Sequence, residues 1–234
     1  MKSILFASLL ALSITACAQP QTSAPSTTTP VSVDNLGPSL PAEHPAVELP
    51  PTSASIKRLT VTMLSNSLPI VAGEDATGQP ITWTVLRPGG DKPIPALEPQ
   101  ALGRALGHPD YLEVTVEPAQ PTALYVKFMD DMARDVCDKM LESDIQQPNS
   151  EQRQLVRFSP LNNVDDIEAI DANLRYLMLR FLGQRVAPDD VESIEALRTA
   201  FVTSATAATT EPPQKSGWRT VCVALLSSPA FHLY

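Results

Sequence analysis

Residues 121–143 read Pro121-Thr-Ala-Leu-Tyr-Val-Lys-Phe-Met-Asp-Asp-Met-Ala-Arg-Asp-Val-Cys-Asp-Lys-Met-Leu-Glu-Ser143. Pro121 suits the opening of a helix. Leu124, Phe128, Met129, Met132, Val136 and Met140 recur at the spacing of one helical face. Asp130, Asp131, Arg134, Asp135, Asp138 and Lys139 line another face, at separations that suit a solvated, salt-bridged surface. A long amphipathic helix must bury its stripe against other elements, so this segment predicts a mainly α fold.

Three further helices follow the same logic. One begins near Val164, with Asp165, Asp166 and Glu168 at its positive end and Gly183 as its C-cap. Its buried face is Ile170, Leu174, Leu177 and Phe181. Pro188 at the first helical position, followed by Asp189, Asp190 and Glu192, opens the next, with the stripe Val191, Ile194, Leu197 and Phe201. A polar loop is expected from Thr203 to Lys215. Ser216 then caps a last helix through Val221, Cys222, Leu225 and Leu226, stopped before Pro229. The stripes read as the core of a helical bundle over residues 121–234, and His232 should pack near its C-terminal end.

Upstream the composition changes. Residues 69–121 carry nine prolines and six glycines, so residues 53–120 read as a loop-rich segment with short helices. A helix is expected over Ala54–Leu68, ended by Pro69, and a second over Pro99–Leu106, ended by Gly107. Ile81–Val85 reads as a short strand. Residues 18–52 contain eight prolines and no Lys, Arg or aromatic residue. Such a segment cannot bury enough apolar area to offset its ordering entropy, and it is expected to be a disordered tether carrying a solvated His44.

Lys2, the apolar run Ile4–Ile14 and the sequence Ile14-Thr-Ala-Cys17 resemble a bacterial lipoprotein signal. The resemblance implies removal of residues 1–16 and attachment of acyl chains, palmitate among them, to Cys17, making residues 17–52 anchor and tether. Ala18 is not the aspartate of inner-membrane retention, so the expected address is the outer membrane. An ordinary signal peptide or a membrane helix is the alternative reading, although the run is shorter than the ~20 residues a span needs. In this compartment disulfides persist, and the remaining cysteines, Cys137 and Cys222, form an even pair. One disulfide is expected, with two buried thiols as the alternative.

Two strings occur together: Asn173-Leu-Arg-Tyr-Leu-Met-Leu-Arg-Phe-Leu-Gly183 and Gly217-Trp-Arg-Thr-Val-Cys-Val-Ala-Leu-Leu-Ser-Ser-Pro-Ala-Phe231. They resemble an uncharacterised helical unit of secreted and lipid-anchored bacterial envelope proteins, of the planctomycete and myxobacterial type. In some of those proteins the unit sits beside c-type cytochrome modules. The likeness spans residues 165–234 and extends to 107–143 through Leu106-Gly-His-Pro-Asp-Tyr111 and Lys127-Phe-Met-Asp-Asp131. This chain has no Cys-x-x-Cys-His haem attachment site, so the resemblance implies at most a partner of a cytochrome.

The chemistry-bearing motifs are few. His-Glu-x-x-His, Gly-x-Ser-x-Gly, Ser-x-x-Lys and phosphate-cradling glycine loops are all missing from the chain. His108 and Asp110, in Gly107-His-Pro-Asp-Tyr111, are the candidate acid–base pair, with a locally bonded turn as the competing reading. The doublets Asp130/Asp131, Asp165/Asp166 and Asp189/Asp190 read as helix-end and surface charges rather than paired catalytic carboxylates. No cofactor or metal-ligand set is predicted. With 26 Asp and Glu against 17 Lys and Arg, nucleic acid is not an expected partner. The sequence thus predicts a membrane-anchored envelope lipoprotein that binds another envelope protein or surface component. The alternatives are an enzyme or enzyme subunit acting outside the cytoplasm, and an accessory to a c-type cytochrome.

Overall fold

The computed structural model describes residues 56–234 apart from Pro88 and Glu113. The signal sequence, the acylated Cys17 and the tether expected of residues 1–52 lie outside the described residues. The described elements run α1 (Val61–Ala72), β1 (Thr84–Leu86), β2 (Pro93–Pro95), an irregular helical turn over Pro99–Gly103, α2 (Ala123–Gln146), α3 (Ile167–Leu182), α4 (Glu192–Ala207), α5 (Pro213–Leu226) and the short α6 (Pro229–His232). The mainly α, disulfide-linked bundle expected from the sequence is what the chain forms.

α2 is the central element. Thr122 caps it by accepting a hydrogen bond from the Tyr125 backbone N–H. Met129, Met132, Val136 and Met140 are buried as expected, but the stripe begins at Tyr125, and Leu124 faces outward. One residue is a 100° rotation on a helix, and Tyr125 is drawn inward by the Arg58 guanidinium above its ring and His232 at its edge. Cys137 bonds to Cys222 of α5, with Cα atoms 5.8 Å apart.

The face of α2 expected to be solvated is only partly so. Asp130–Arg134 and Lys127–Asp131 are exposed i,i+4 pairs. Asp135 and Lys139, however, hold the hairpin: Asp135 accepts the Thr84 N–H at 3.0 Å, and Lys139 donates to the Thr82 carbonyl and the Thr84 hydroxyl. Asp138 pairs with Arg219 of α5.

Helix boundaries shift where local hydrogen bonds intervene. α1 begins at Val61 and not Ala54, because Thr60 caps it, and it runs through Pro69 to Ala72. Val61, Leu64, Leu68 and Ala72 supply its buried face, while Ile56 and Met63 are exposed, and that burial outweighs the one N–H lost at Pro69. The strand expected over Ile81–Val85 is displaced to Thr84–Leu86 and pairs antiparallel with Pro93–Pro95. α4 begins at Glu192 rather than Pro188, since Arg175 takes the carbonyls of Ala187 and Pro188, and Asp190 accepts from the Ser193 N–H and hydroxyl. α4 continues past Thr203 because Ser204 forms a polar seam with Ser216 and Thr220 of α5. Ser216 is therefore inside α5, which opens at Pro213. Asp166 and Gly183 cap α3 as expected, Gly183 in the left-handed conformation at φ 66°.

Apolar side chains from the loop-rich segment, among them Trp83, Leu97 and Leu106, join the same core as the four long helices. Two buried polar residues order the connection from α2 to α3. Asp144 accepts the backbone N–H groups of Gln154, Leu155 and Val156 at 2.7–2.8 Å. Burial pushes its carboxyl pKa up, against the pull of those three donors. Asn173 accepts from Arg157 and Phe158 and donates to the Leu155 carbonyl. His232 packs at the C-terminal end, its Nε2 3.1 Å from the Ser227 carbonyl, and burial holds its imidazole below the usual range.

Two stability predictions follow from this packing. Replacing Cys137 and Cys222 together by Ala should lower unfolding free energy in urea by about 2–4 kcal/mol, since the bridge closes a long loop. Gly217 lies where α5 crosses α4, and a Cβ there would meet the Phe201 ring at 2.6 Å. Gly217→Ala should therefore destabilise by about 1–3 kcal/mol through overpacking, despite the better helix propensity of Ala, and equilibrium unfolding measures it.

Candidate functional site

Residues 106–118 form a loop closed at its neck by one buried cation. Arg58, only 2% exposed, donates from Nη2 to the Leu106 carbonyl at 2.5 Å and from Nε to the Pro118 carbonyl at 2.7 Å. Gly107 lies at φ 86°, and a Cβ there would meet the Pro118 ring at 2.5 Å, so the neck tolerates only glycine. The ends of the segment meet, as in an Ω-loop.

His108 and Asp110, the candidate acid–base pair, both sit in this loop. His108 Nδ1 lies 3.0 Å from the carbonyl of Pro109, a backbone group that fixes the ring. The ring lines a cavity of about 410 Å³ together with Thr62, Ser65, Asn66 and Glu98. Asp110 Oδ1 accepts the backbone N–H groups of Leu112 at 3.0 Å and Val114 at 2.9 Å. Backbone bonds from Asp110 and Tyr111 to the Val114 carbonyl complete the turn. Asp110 thus shapes the tip as an Asx turn does, which is the local reading of the Pro-Asp-Tyr string.

The tip carries the unusual features. Tyr111 has φ 60°, the one non-glycine residue with positive φ among the described residues. An aromatic L-residue in that region costs about 1–2 kcal/mol, so the surrounding hydrogen bonds hold it there. Tyr111 is 78% exposed, Leu112 90% and Val116 77%. A strained backbone that presents a tyrosine beside two aliphatic side chains to solvent offers an exposed apolar patch with one side chain of the type enriched at interaction hot spots. The sequence signal was present in Asp110-Tyr-Leu112, because Asp two residues before an amide donor starts such turns.

A concavity of about 650 Å³ lies along α3 and is lined by Phe158, Ile167, Asp171, Arg175 and Val191 among others. Two of its charged groups are engaged in structure: Asp171 takes both Nε and Nη2 of Arg198, and Arg175 holds the α3–α4 connection, while Glu168 also lines the wall. Among the described residues, no group of three His, Cys, Asp or Glu side chains is placed to hold a metal ion. None of the described helices is long and apolar enough to cross a membrane. Cys137 and Cys222 are joined to each other, and Cys17 lies outside the described residues.

The strain at the tip is measurable. Asparagine adopts positive φ more readily than tyrosine, so Tyr111→Asn should raise unfolding free energy by about 0.5–1 kcal/mol in urea titrations. A tyrosine retained for packing would instead lose stability on that change. No protein-family model matches the chain, and neither a curated protein nor a solved structure is significantly similar to it.

Proposed function

We propose that the protein is an envelope lipoprotein, held at the outer membrane by acyl chains on Cys17, whose folded domain binds another envelope protein without turnover. The observation that carries this reading is the tip of the 106–118 loop, where Tyr111 and Leu112 face solvent on a strained backbone. Backbone strain of this kind clusters at functional sites and ligand clamps, where the surrounding structure holds it. The composition of residues 18–52, eight prolines with no Lys, Arg or aromatic residue, supports the same reading, since a segment of that kind suits a tether between anchor and domain. The resemblance to units found beside c-type cytochromes makes a haem protein one kind of partner to look for.

A photo-reactive amino acid at Val116, in the full chain expressed in its native envelope, tests the proposal. The expected result is a cross-link to one defined envelope protein that disappears when Tyr111→Asn is added, although that change stabilises the fold. A cross-link unaffected by Tyr111→Asn, or none at all, would overturn the docking role of the loop. Cys17→Ser is expected to abolish incorporation of labelled palmitate into the protein, and undiminished incorporation would count against the lipid anchor.

A further inference from the structure

Arg58 raises a question of charge that the loop neck alone does not answer. Its two carbonyl acceptors satisfy N–H donors, but they are neutral, and the Tyr125 ring 4.6 Å away supplies only a quadrupole. Among the described residues no carboxylate is in ion-pair contact with it. The carboxylate that acts on it is Glu117, which favours its charge from a distance, after Tyr125, while accepting the Val61 N–H, with Thr62 also in reach. Burying a cation without a contacting counter-ion costs several kcal/mol, and burial indeed holds the Arg58 pKa below its ordinary value.

A cavity of about 120 Å³ opens beside this guanidinium. Arg58, Arg104, Gly107, Pro118, Thr122 and Tyr125 line it, with Ala105 and Leu106 completing the wall, and no acidic side chain takes part. Arg104 is exposed at the rim, and its side chain makes no ion pair or hydrogen bond among the described residues. Thr122 is the N-cap of the 24-residue α2, so the positive end of a long helix dipole also faces this region. Two arginines thus line one recess in a chain of net charge −9. The volume is that of roughly four waters at ~30 Å³ each, room for one phosphate or carboxylate group but not for a nucleoside attached to it.

We infer that this recess binds a single small oxyanion group, phosphate or carboxylate, between Arg58 and Arg104 at the neck of the 106–118 loop. Arginine suits the task because its planar fork matches two oxygens at once, and such charge-assisted bonds are the stronger kind. The anion would place in contact with Arg58 a counter-charge that Glu117 supplies only from a distance. A larger ligand would enter by such a group alone, with its remainder outside past Arg104. This inference stands independently of the docking role given to Tyr111.

The test is a titration of the full chain, labelled at arginine Nε, with inorganic phosphate and separately with acetate. Sodium chloride at matched ionic strength serves as the control. Saturable shifts of the Arg58 and Arg104 Nε–H signals are expected. Saturation by phosphate alone identifies a phosphate group, and saturation by acetate alone a carboxylate. Arg104→Gln, a change at an exposed position, should weaken the saturable binding about tenfold while leaving the fold intact, as the loss of one charged hydrogen bond implies. Shifts that grow without saturation and equal those of chloride would overturn the site. So would an unchanged affinity in Arg104→Gln, which would place the binding elsewhere.

Discussion

The bond between Cys137 and Cys222 joins the middle of α2 to α5 across 85 positions of chain, and both sulfurs lie at the centre of the core. Everything between them, including α3, α4 and the α2–α3 connection, is an excursion whose ends are already together. Closing so long a loop costs entropy that the unbridged chain would have to recover from packing alone. The neighbours of the bridge show what depends on it. Gly217 and Trp218 set α5 against Phe201 of α4, with the Trp218 and Phe201 rings 4.6 Å apart. Asp138 and Arg219 make the outer contact between the same two helices that the cystine joins.

Around this frame the irregular segments are ordered by buried polar groups rather than by apolar burial alone. Asp144 gathers three consecutive N–H groups, Asn173 takes the next two, and Arg58 binds the carbonyls at both ends of the 106–118 loop. Each replaces a stretch of backbone partners that regular structure would have supplied. Such groups are costly when half-satisfied, since an orphaned buried donor or acceptor loses its full hydration. Asp144→Ala would leave three N–H groups without their acceptor, whereas loss of any one exposed pair on α2 leaves water to replace it.

The helices were legible in the sequence because their stripes obey a local period: Ile170, Leu174, Leu177 and Phe181 are buried as the spacing of α3 implies. Helix ends were less so, because they answer to distant groups. Nothing in the residues around Pro188 announces that Arg175 would take the preceding carbonyls, and nothing around Pro69 announces the core that carries α1 past it. The face of α2 read as solvated turned out to hold a hairpin, since a carboxylate and an ammonium at i,i+4 look the same whether water or Thr84 completes their bonds. For the candidate site, His108 and Asp110 were visible as residues that could do chemistry. Their use as backbone-bonding groups, and the role of Arg58 nearly fifty residues earlier, required the third dimension.

The two features proposed for recognition share one small piece of chain. Tyr111 stands at the tip of a loop whose neck is Arg58, and the recess beside Arg58 is walled by Gly107 and Pro118, the residues at which that loop begins and ends. An anion in the recess would draw on the same guanidinium that clamps both carbonyls, so the geometry of the neck and the charge at the site are not independent. Two ligands bound through one such shared element would be thermodynamically linked, each altering the affinity of the other by the same factor. The rest of the domain, built on the α2–α5 cystine, is then the rigid support against which such a loop can hold its strain.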